Sequence, residues 1–124
     1  MNERTNYDVV IIGGGPAGIA AAIWCSDLGL TNTILEQKVE LGGQLLRIFA
    51  PIRNYPGLVT ENGSEMRDRF HGSISETNCV VRLEAKLRNI DLKSKTVELA
   101  DGGVVQGRAV IIATGARRRT LDVA

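Results

Sequence analysis

The chain has few of the side chains on which most catalytic sites depend. Its 124 residues include one histidine and two cysteines, and aromatic residues make up only 4%. Cys25 and Cys79 lie far apart and form no Cys-x-x-Cys pair, which favours two reduced, buried thiols over a redox role for either one. No residues have the spacing of metal ligands or of a Ser–His–Asp arrangement. We therefore expect neither a metal centre nor a catalytic residue in this chain.

Strong charge and long hydrophobic runs are also missing. The net charge of +1 gives no electrostatic reason to expect nucleic acid or an anionic membrane as a partner. No apolar run reaches the roughly 20 residues that span a bilayer, and the polar start, Met1 to Asn6, does not resemble a signal peptide. These features predict a cytoplasmic protein that consists of one domain or part of one.

Glycine, by contrast, is abundant, with 14 residues in the chain. The almost continuously apolar run from Asp8 to Ile12 is typical of a parallel strand buried on both faces. It leads into Gly13 to Gly18, a Gly-x-Gly-x-x-Gly turn, and then into an Ala-rich helical pattern. This order is the sequence mark of a dinucleotide-binding βαβ unit. Gly13 permits the tight turn, Gly15 admits a pyrophosphate to the helix N-terminus, and Gly18 lets the helix pack against the strand.

Hydrophobic periodicity predicts the other elements. The first helix spans 15–28, with its apolar residues at Ile19, Ala20, Ile23, Trp24 and Leu28. A second strand spans 33–36, and a mostly irregular stretch at 39–63 holds a short helix near 44–49. Ser64 is the expected N-cap of a helix whose apolar side contains Met66, Phe70 and Ile74. A third strand at 79–81, an antiparallel meander at 85–92, 96–100 and 104–107, and a buried strand at 110–113 complete an α/β fold. The prediction is a three-layer, Rossmann-like, mostly parallel sheet with a β-meander crossover.

Glu36 ends the second strand, about 20 residues after the glycine turn, where a carboxylate binds the ribose hydroxyls of an adenosine. The alternative is a strand-end charge that faces water. A carboxylate at this position would repel a 2′-phosphate. The nucleotide predicted for this site is therefore FAD or NAD rather than NADP.

Three further motifs follow strands or turns, and each has an ordinary turn as its alternative. The glycines of Gly42-Gly43-Gln44 allow a close approach of backbone to ligand, and the Gln44 amide can bind a polar ring edge. Asn54-Tyr55-Pro56-Gly57 is a turn that could present Asn54 to a cofactor. Thr114-Gly115 follows a buried strand at the edge where open α/β sheets bind ligands. His71 and the run Arg117 to Arg119 are interpreted as surface residues.

In this order, GGGPAG at 13–18, Glu36, GGQL at 42–45, NYPG at 54–57 and IIATGA at 111–116 resemble the thioredoxin reductase-like flavoproteins. These belong to the pyridine nucleotide–disulfide oxidoreductase superfamily, and the resemblance covers Tyr7 to Leu121. It implies FAD as cofactor, with the pyrophosphate on the glycine turn, the adenosine ribose on Glu36, Asn54 near the flavin ring and the adenine near the backbone of Lys86. The cofactor-binding residues that it implies are Gly13, Gly14, Gly15, Pro16, Ala17, Glu36, Gln37, Gly42, Gly43, Gln44, Asn54, Lys86, Ala113, Thr114 and Gly115.

The resemblance also implies that residues 1–124 are the N-terminal part of a FAD-binding domain. An NADPH-binding domain and the C-terminal part of the FAD domain would be absent. The parent protein would pass electrons from NADPH or NADH through FAD to a thiol/disulfide protein or a small acceptor, and would be a homodimer. Arg53 stands where the family commonly has an acidic residue, and the GGQL–NYPG spacing is slightly long. Two alternatives stay open: an inactive nucleotide-binding fragment, and the NAD-binding Rossmann module of another dehydrogenase.

Overall fold

The computed structural model describes residues 4–117 and 119–123, so Met1 to Glu3, Ala124 and Arg118, which lies in the arginine run, fall outside the description. The described chain contains the following elements in order: β1 (Arg4–Ile12), α1 (Pro16–Asp27), β2 (Asn32–Leu35), a 3₁₀ helix (Gly43–Arg47), β3 (Ile52–Tyr55), β4 (Leu58–Thr60), α2 (Gly63–Ser75), β5 (Val80–Arg82), β6 (Leu87–Asp91), β7 (Thr96–Leu99) and β8 (Val104–Ile112). Within this part of the chain no helix is long and apolar enough to cross a membrane.

Six strands form one sheet in the order β5-β2-β1-β8-β7-β6. The pairs β5–β2, β2–β1 and β1–β8 are parallel, whereas β8–β7 and β7–β6 are antiparallel. The predicted α/β fold, with its mostly parallel sheet and antiparallel meander, is confirmed. A separate hairpin of β3 and β4 lies outside this sheet.

Alternate residues of β1 face two different cores, because side chains of a strand point to opposite faces of the sheet. Val9 and Ile11 pack with residues of both helices, including Ile19 and Ile74. Val10 and Ile12 pack with Val97 and Leu99 of the meander strand β7 and with neighbouring apolar residues. The helices therefore cover one face of the parallel strands and the meander covers the other, which gives the three predicted layers.

The last meander strand and the buried strand after it were predicted as two elements, and this was wrong. They form the single strand β8, which pairs with β1 from Arg4↔Val104 to Ile12↔Ile112. The first part of the same strand also pairs with β7, from Thr96↔Gln106 to Glu98↔Val104. The polar interruption at Gly107-Arg108 suggested a break, but β1 offers a hydrogen-bonding partner along its whole length.

The buried side of α1 also differs from the prediction. Ile19, Ala22 and Cys25 are buried, whereas Trp24 is 64% exposed and Leu28 is 58% exposed. The glycine turn decides this rotation of the helix, since Gly18 lies directly over Gly13 and the next residues on the same side face the sheet. The predicted bounds are confirmed: Gly15 and Leu28 are the caps, and Gly29 follows with φ +77°.

The segment 39–63, predicted as mostly loop with a helix near 44–49, contains a shorter 3₁₀ helix and the unpredicted β3–β4 hairpin. Pro56-Gly57 forms the turn of this hairpin, and Gly57 has φ +80°. The N-cap of α2 is Asn62 rather than Ser64, because the Asn62 side chain accepts a hydrogen bond from the backbone N–H of Glu65 at 2.8 Å. The predicted apolar side of this helix is confirmed, with Met66 and Ile74 buried and Phe70 partly buried.

Candidate cofactor-binding site

Three segments that follow parallel strands meet at the carboxyl edge of the sheet. The glycine turn follows β1, Glu36 follows β2, and Ala113 to Gly115 follow β8. Backbone hydrogen bonds join these ends: Gly13 N donates to Leu35 O at 3.0 Å, and Ala113 N donates to Ile12 O at 2.8 Å. This edge of an open parallel sheet is the usual place for a bound ligand.

The glycine turn is packed so closely that two of its glycines cannot be replaced without a clash with backbone atoms. Gly13 has φ +109°, and a Cβ there would overlap the carbonyl oxygen of Ala113. A Cβ on Gly18 would overlap the carbonyl oxygen of Gly13. Gly15 is different, because the nearest atom to its added Cβ would be Gly43 Cα at 3.7 Å. The first two contacts shape the turn, and the third position leaves room above it.

The turn leads into the N-terminus of α1, which carries no side-chain cap. Pro16 occupies the first helical turn, where a residue without an N–H costs nothing. Pro16 and Ala17 are exposed, so the start of this 12-residue helix is open to a ligand. Free N–H groups and the helix dipole together favour an anion at such a position.

The Glu36 side chain is buried beside the glycine turn. It is 8% exposed. Its Oε1 accepts a hydrogen bond from Gly14 N at 3.0 Å, and its Oε2 accepts one from Lys38 N at 2.9 Å. Each carboxylate oxygen can accept a second hydrogen bond. The side chain is thus held in place by the backbone and still has acceptor capacity for ligand hydroxyls, and the alternative of a charge facing water is excluded.

The segment 41–44 also lies against the glycine turn. Gly42 N donates a hydrogen bond to Gly14 O at 2.9 Å. Gly43, with φ +53°, is so close to Gly15 that an added Cβ would lie 3.1 Å from its Cα. The Gln44 side chain donates through Nε2 to the carbonyl oxygen of Ala116. The structure thereby brings the GGQ motif, the glycine turn and the segment after β8 into one cluster.

A shallow groove continues from Glu36 along the segment 82–86. Three backbone hydrogen bonds of 2.9 Å tie this segment to residues 36–38, and they run from Glu36 N to Arg82 O, from Glu84 N to Lys38 O and from Ala85 N to Glu36 O. The groove is lined by Arg82 to Lys86 and by Leu99 to Asp101. Lys86 itself is exposed, and its carbonyl accepts from Ala100 N at 2.8 Å. This groove extends the site beyond the carboxylate of Glu36.

Two predicted residues stand apart from the cluster. Asn54 is exposed in β3, and no hydrogen bond within residues 4–117 joins it to the glycine turn, to Glu36 or to Gln44. Gln37 is adjacent to Glu36 but exposed.

The sequence analysis missed two residues beside the glycine turn. A Cβ added to Gly14 would meet the side chain of Leu41, and Arg67 donates through Nε to Leu41 O at 3.0 Å. No sequence signal connects Arg67 with this loop, because the two are 26 residues apart.

The two cysteines contribute nothing to this cluster. Both are free thiols; Cys25 is buried and Cys79 is half-buried, so the prediction of two buried thiols is only partly correct. Burial raises the pKa of Cys25, and it raises the pKa of Cys79 to about 11. Since the thiolate is the reactive form, both pKa shifts lower the reactivity of these thiols.

The family model of the pyridine nucleotide-disulphide oxidoreductases matches residues 7–124. The chain belongs to this family. Thioredoxin reductase from Listeria innocua is 34% identical over 123 residues, which are 99% of this chain and 38% of that protein. Thioredoxin reductase from Bacillus subtilis is 32% identical over 123 residues, again 99% of this chain and 38% of that protein. The chain thus spans well under half of the length of these relatives.

The fold is shared with solved structures of the same family. Thioredoxin reductase from Lactococcus lactis superposes with a TM-score of 0.82 and 32% identity, covering 94% of this chain and 38% of that one. Thioredoxin reductase from T. acidophilum gives a TM-score of 0.83 with 28% identity. The second match covers 95% of this chain and 38% of that one.

Proposed function

We propose that this chain binds FAD across the carboxyl edge of β1, β2 and β8. The observation that carries the proposal is the cluster of glycine turn, Glu36 and GGQ segment, which joins an open helix N-terminus to a buried carboxylate. The pyrophosphate would lie on Gly13 to Ala17, the adenosine ribose on Glu36, and the adenine in the groove beside Lys86. The N-terminus of α1 favours the phosphates, and the Glu36 carboxylate retains acceptor capacity for the ribose hydroxyls.

The flavin half of the cofactor would extend past the GGQ segment. Gly42 and Gly43 would lie beside the pyrophosphate, and Gln44 would place its amide near the flavin side. Ala113, Thr114 and Gly115 would border the cofactor from the neighbouring strand, while Gln37 would flank the ribose and Asn54 would approach the ring. The flavin supplies hydride acceptance and electron transfer when bound, whereas this chain binds it, orients it and shields one side from water.

We further propose that residues 1–124 are the N-terminal part of a FAD-binding domain. From Arg108 to Ile112, β8 pairs with β1 but, among the described strands, has no neighbour on its other side. Ile112 is exposed at this edge, and Trp24 is exposed on α1. An open strand edge beside apolar side chains favours pairing with further chain. The parent would add a C-terminal half of this domain and a nicotinamide-binding domain.

The parent activity that fits the relatives is NAD(P)H-dependent reduction, through FAD, of a disulfide in a thioredoxin-like protein or of another small acceptor. We propose a cytoplasmic homodimer for the parent, in keeping with the two unpaired cysteines and with the apolar residues left exposed here. The isolated chain would bind the cofactor without turnover, because the nicotinamide site would belong to the further domain of the parent.

The test is a set of titrations of the purified chain with FAD, FMN, ADP and NAD, followed by fluorescence or calorimetry. Because the glycine turn and Glu36 bind the ADP half, FAD and ADP should bind and FMN should not. FAD should bind more tightly than NAD, since the segments around Gln44 and Thr114 border the flavin side. A Gln44→Ala substitution should reduce the affinity for FAD more than the affinity for ADP. Binding of NAD as tight as that of FAD would overturn the flavin assignment in favour of an NAD-binding module.

A further inference from the structure

Arg67 of α2 is bound to the loop that lies on the glycine turn. Its Nε donates to Leu41 O at 3.0 Å, and its Nη2 lies 3.2 Å from Glu40 Oε2. Its Nη1 is occupied by Asp68 Oδ1 at 2.7 Å. The aliphatic part of the side chain packs on Gly42, because a Cβ there would lie 2.7 Å from Arg67 Cγ. With all three nitrogens engaged, the guanidinium is directed at the loop rather than at a ligand.

The residues held by Arg67 are the ones that support the pyrophosphate turn. Leu41 is 1% exposed, and its side chain fills the space beside Gly14. Gly42 donates to Gly14 O, and Gly43 lies directly on Gly15. A shift of this loop would therefore move the backbone that faces a bound diphosphate.

The helix that carries Arg67 is itself firmly anchored. Its N-terminus is capped by Asn62, and Met66 and Ile74 are buried. Gly63 N donates to Ile48 O at 2.8 Å, and Gly63 packs against the carbonyl of Leu45 in the 3₁₀ helix that follows the loop. Helix α2 therefore contacts the loop through Arg67 and the following 3₁₀ helix through Gly63.

We propose that Arg67 is a positioning residue for the cofactor site: it holds the loop 40–43 at the height above Gly14 and Gly15 that a diphosphate requires. This inference rests on the proposed function, because it assigns to the loop the task of bordering a diphosphate. The planar fork of arginine is needed, since it binds the Leu41 carbonyl and the Glu40 carboxylate at once, which a lysine ammonium cannot do with the same geometry.

The first test needs no ligand and measures amide hydrogen exchange by NMR in the intact chain. The Gly42 N–H reports docking of the loop on Gly14, whereas the N–H groups of β1 report global unfolding. In Arg67→Gln, we expect the protection of Gly42 to fall about tenfold, equivalent to about 1.4 kcal/mol, with β1 unchanged. The matched control is Arg69→Gln, on the same helix at an exposed position, which should leave Gly42 protected.

Arg67→Lys keeps the charge and the aliphatic stem, so it remains useful if Arg67→Gln folds poorly. It should recover only part of the protection of Gly42. Full recovery of the Gly42 protection would assign the effect to charge alone and overturn the positioning role of Arg67. Unchanged protection in both variants would overturn it as well.

The second test measures dissociation constants. Arg67→Gln should raise the dissociation constants of FAD and ADP about tenfold. The dissociation constant of adenosine, which has no diphosphate, should change by no more than about twofold. Equal losses for ADP and adenosine, or no loss for either, would overturn the positioning role. If the unsubstituted chain binds neither FAD nor ADP, the proposed function fails by itself, and the exchange of Gly42 still decides whether Arg67 fixes the loop.

Discussion

Glu36 and Gly14, 22 residues apart, are joined by a hydrogen bond of 3.0 Å from the Gly14 backbone N–H to Glu36 Oε1. This bond connects the end of β2 to the middle of the glycine turn. The Glu36 carboxylate therefore helps to fix the shape of the turn while it retains acceptor capacity for the ribose of the proposed nucleotide. Two motifs that are 22 residues apart in the sequence are thus joined directly in the structure.

Replacing Glu36 by glutamine should change both affinity and selectivity. We expect ADP and FAD to bind about tenfold or more weakly, because a charge-assisted hydrogen bond is worth about 1.5–3 kcal/mol. The unsubstituted chain should prefer AMP over 2′,5′-ADP, which adds only a 2′-phosphate, and Glu36→Gln should narrow this preference since the anionic repulsion is gone. Competitive titration measures both. Glu61→Gln, at an exposed position, is the control, and equal binding of the two nucleotides by the unsubstituted chain would contradict the role of Glu36.

Two glycine-to-alanine substitutions should have opposite effects. Gly18→Ala puts a methyl group onto Gly13 O, so the free energy of unfolding should fall by about 1–3 kcal/mol. Gly72→Ala, in the interior of α2, meets nothing within 4 Å and should raise the free energy of unfolding by about 0.5–1 kcal/mol. Urea denaturation of both variants gives the comparison. If the Gly18→Ala variant were as stable as the unsubstituted chain, the close approach of α1 to β1 would not be needed for stability.

The capping of α2 can be tested at two neighbouring positions. Asn62→Ala removes the acceptor for Glu65 N and should lower the free energy of unfolding by about 1 kcal/mol. Ser64→Ala, at the exposed residue that the sequence favoured as the cap, should change it by much less. Thermal unfolding of the pair decides between the two caps, and a larger loss for Ser64→Ala would reverse the assignment.

Asp8 should make stability depend on pH in the acid range. The backbone N–H and the hydroxyl of Thr31, with a smaller contribution from Arg108, hold the pKa of Asp8 below its usual 3.8. A carboxyl whose pKa is depressed in the folded state stabilises the protein above its unfolded pKa, and this stability is lost as the pH falls through the folded value.

We therefore expect Asp8→Asn to lower the free energy of unfolding near pH 7 and to make little difference well below pH 3.8. Denaturation curves at several pH values measure this convergence. Asp122→Asn, which removes an exposed charge in the C-terminal tail, is the control, and a constant difference for Asp8→Asn at all pH values would argue against an ionic origin.

Both thiols should react slowly in the folded chain. With its pKa raised to about 11, Cys79 is ionised to only about one part in a thousand at pH 8. Cys25 is buried, and its pKa is raised as well. Iodoacetamide should modify neither at an appreciable rate until urea unfolds the chain. Rapid labelling of one cysteine in the native protein would instead assign it a reactive role.

Local sequence was sufficient for the βαβ unit. The apolar run of β1, the glycines and the start of α1 are each dictated by neighbours in the chain, since strand burial, positive φ at Gly13 and helix initiation are local properties. Glu36 was also predictable, because strand and helix lengths fix its distance from the turn. The family resemblance extended this to the GGQ and ATGA segments.

The tertiary structure decided what depends on distant contacts. Alternation alone could not show that residues 104–112 form one strand, because its continuity comes from pairing with β1. The rotation of α1 that exposes Trp24 follows from the contact between Gly18 and Gly13. Arg67 gave no signal at all, since its guanidinium acts through loop residues that only folding brings beside α2. The sequence determined which groups could bind a nucleotide, and packing between remote segments determined how they are held.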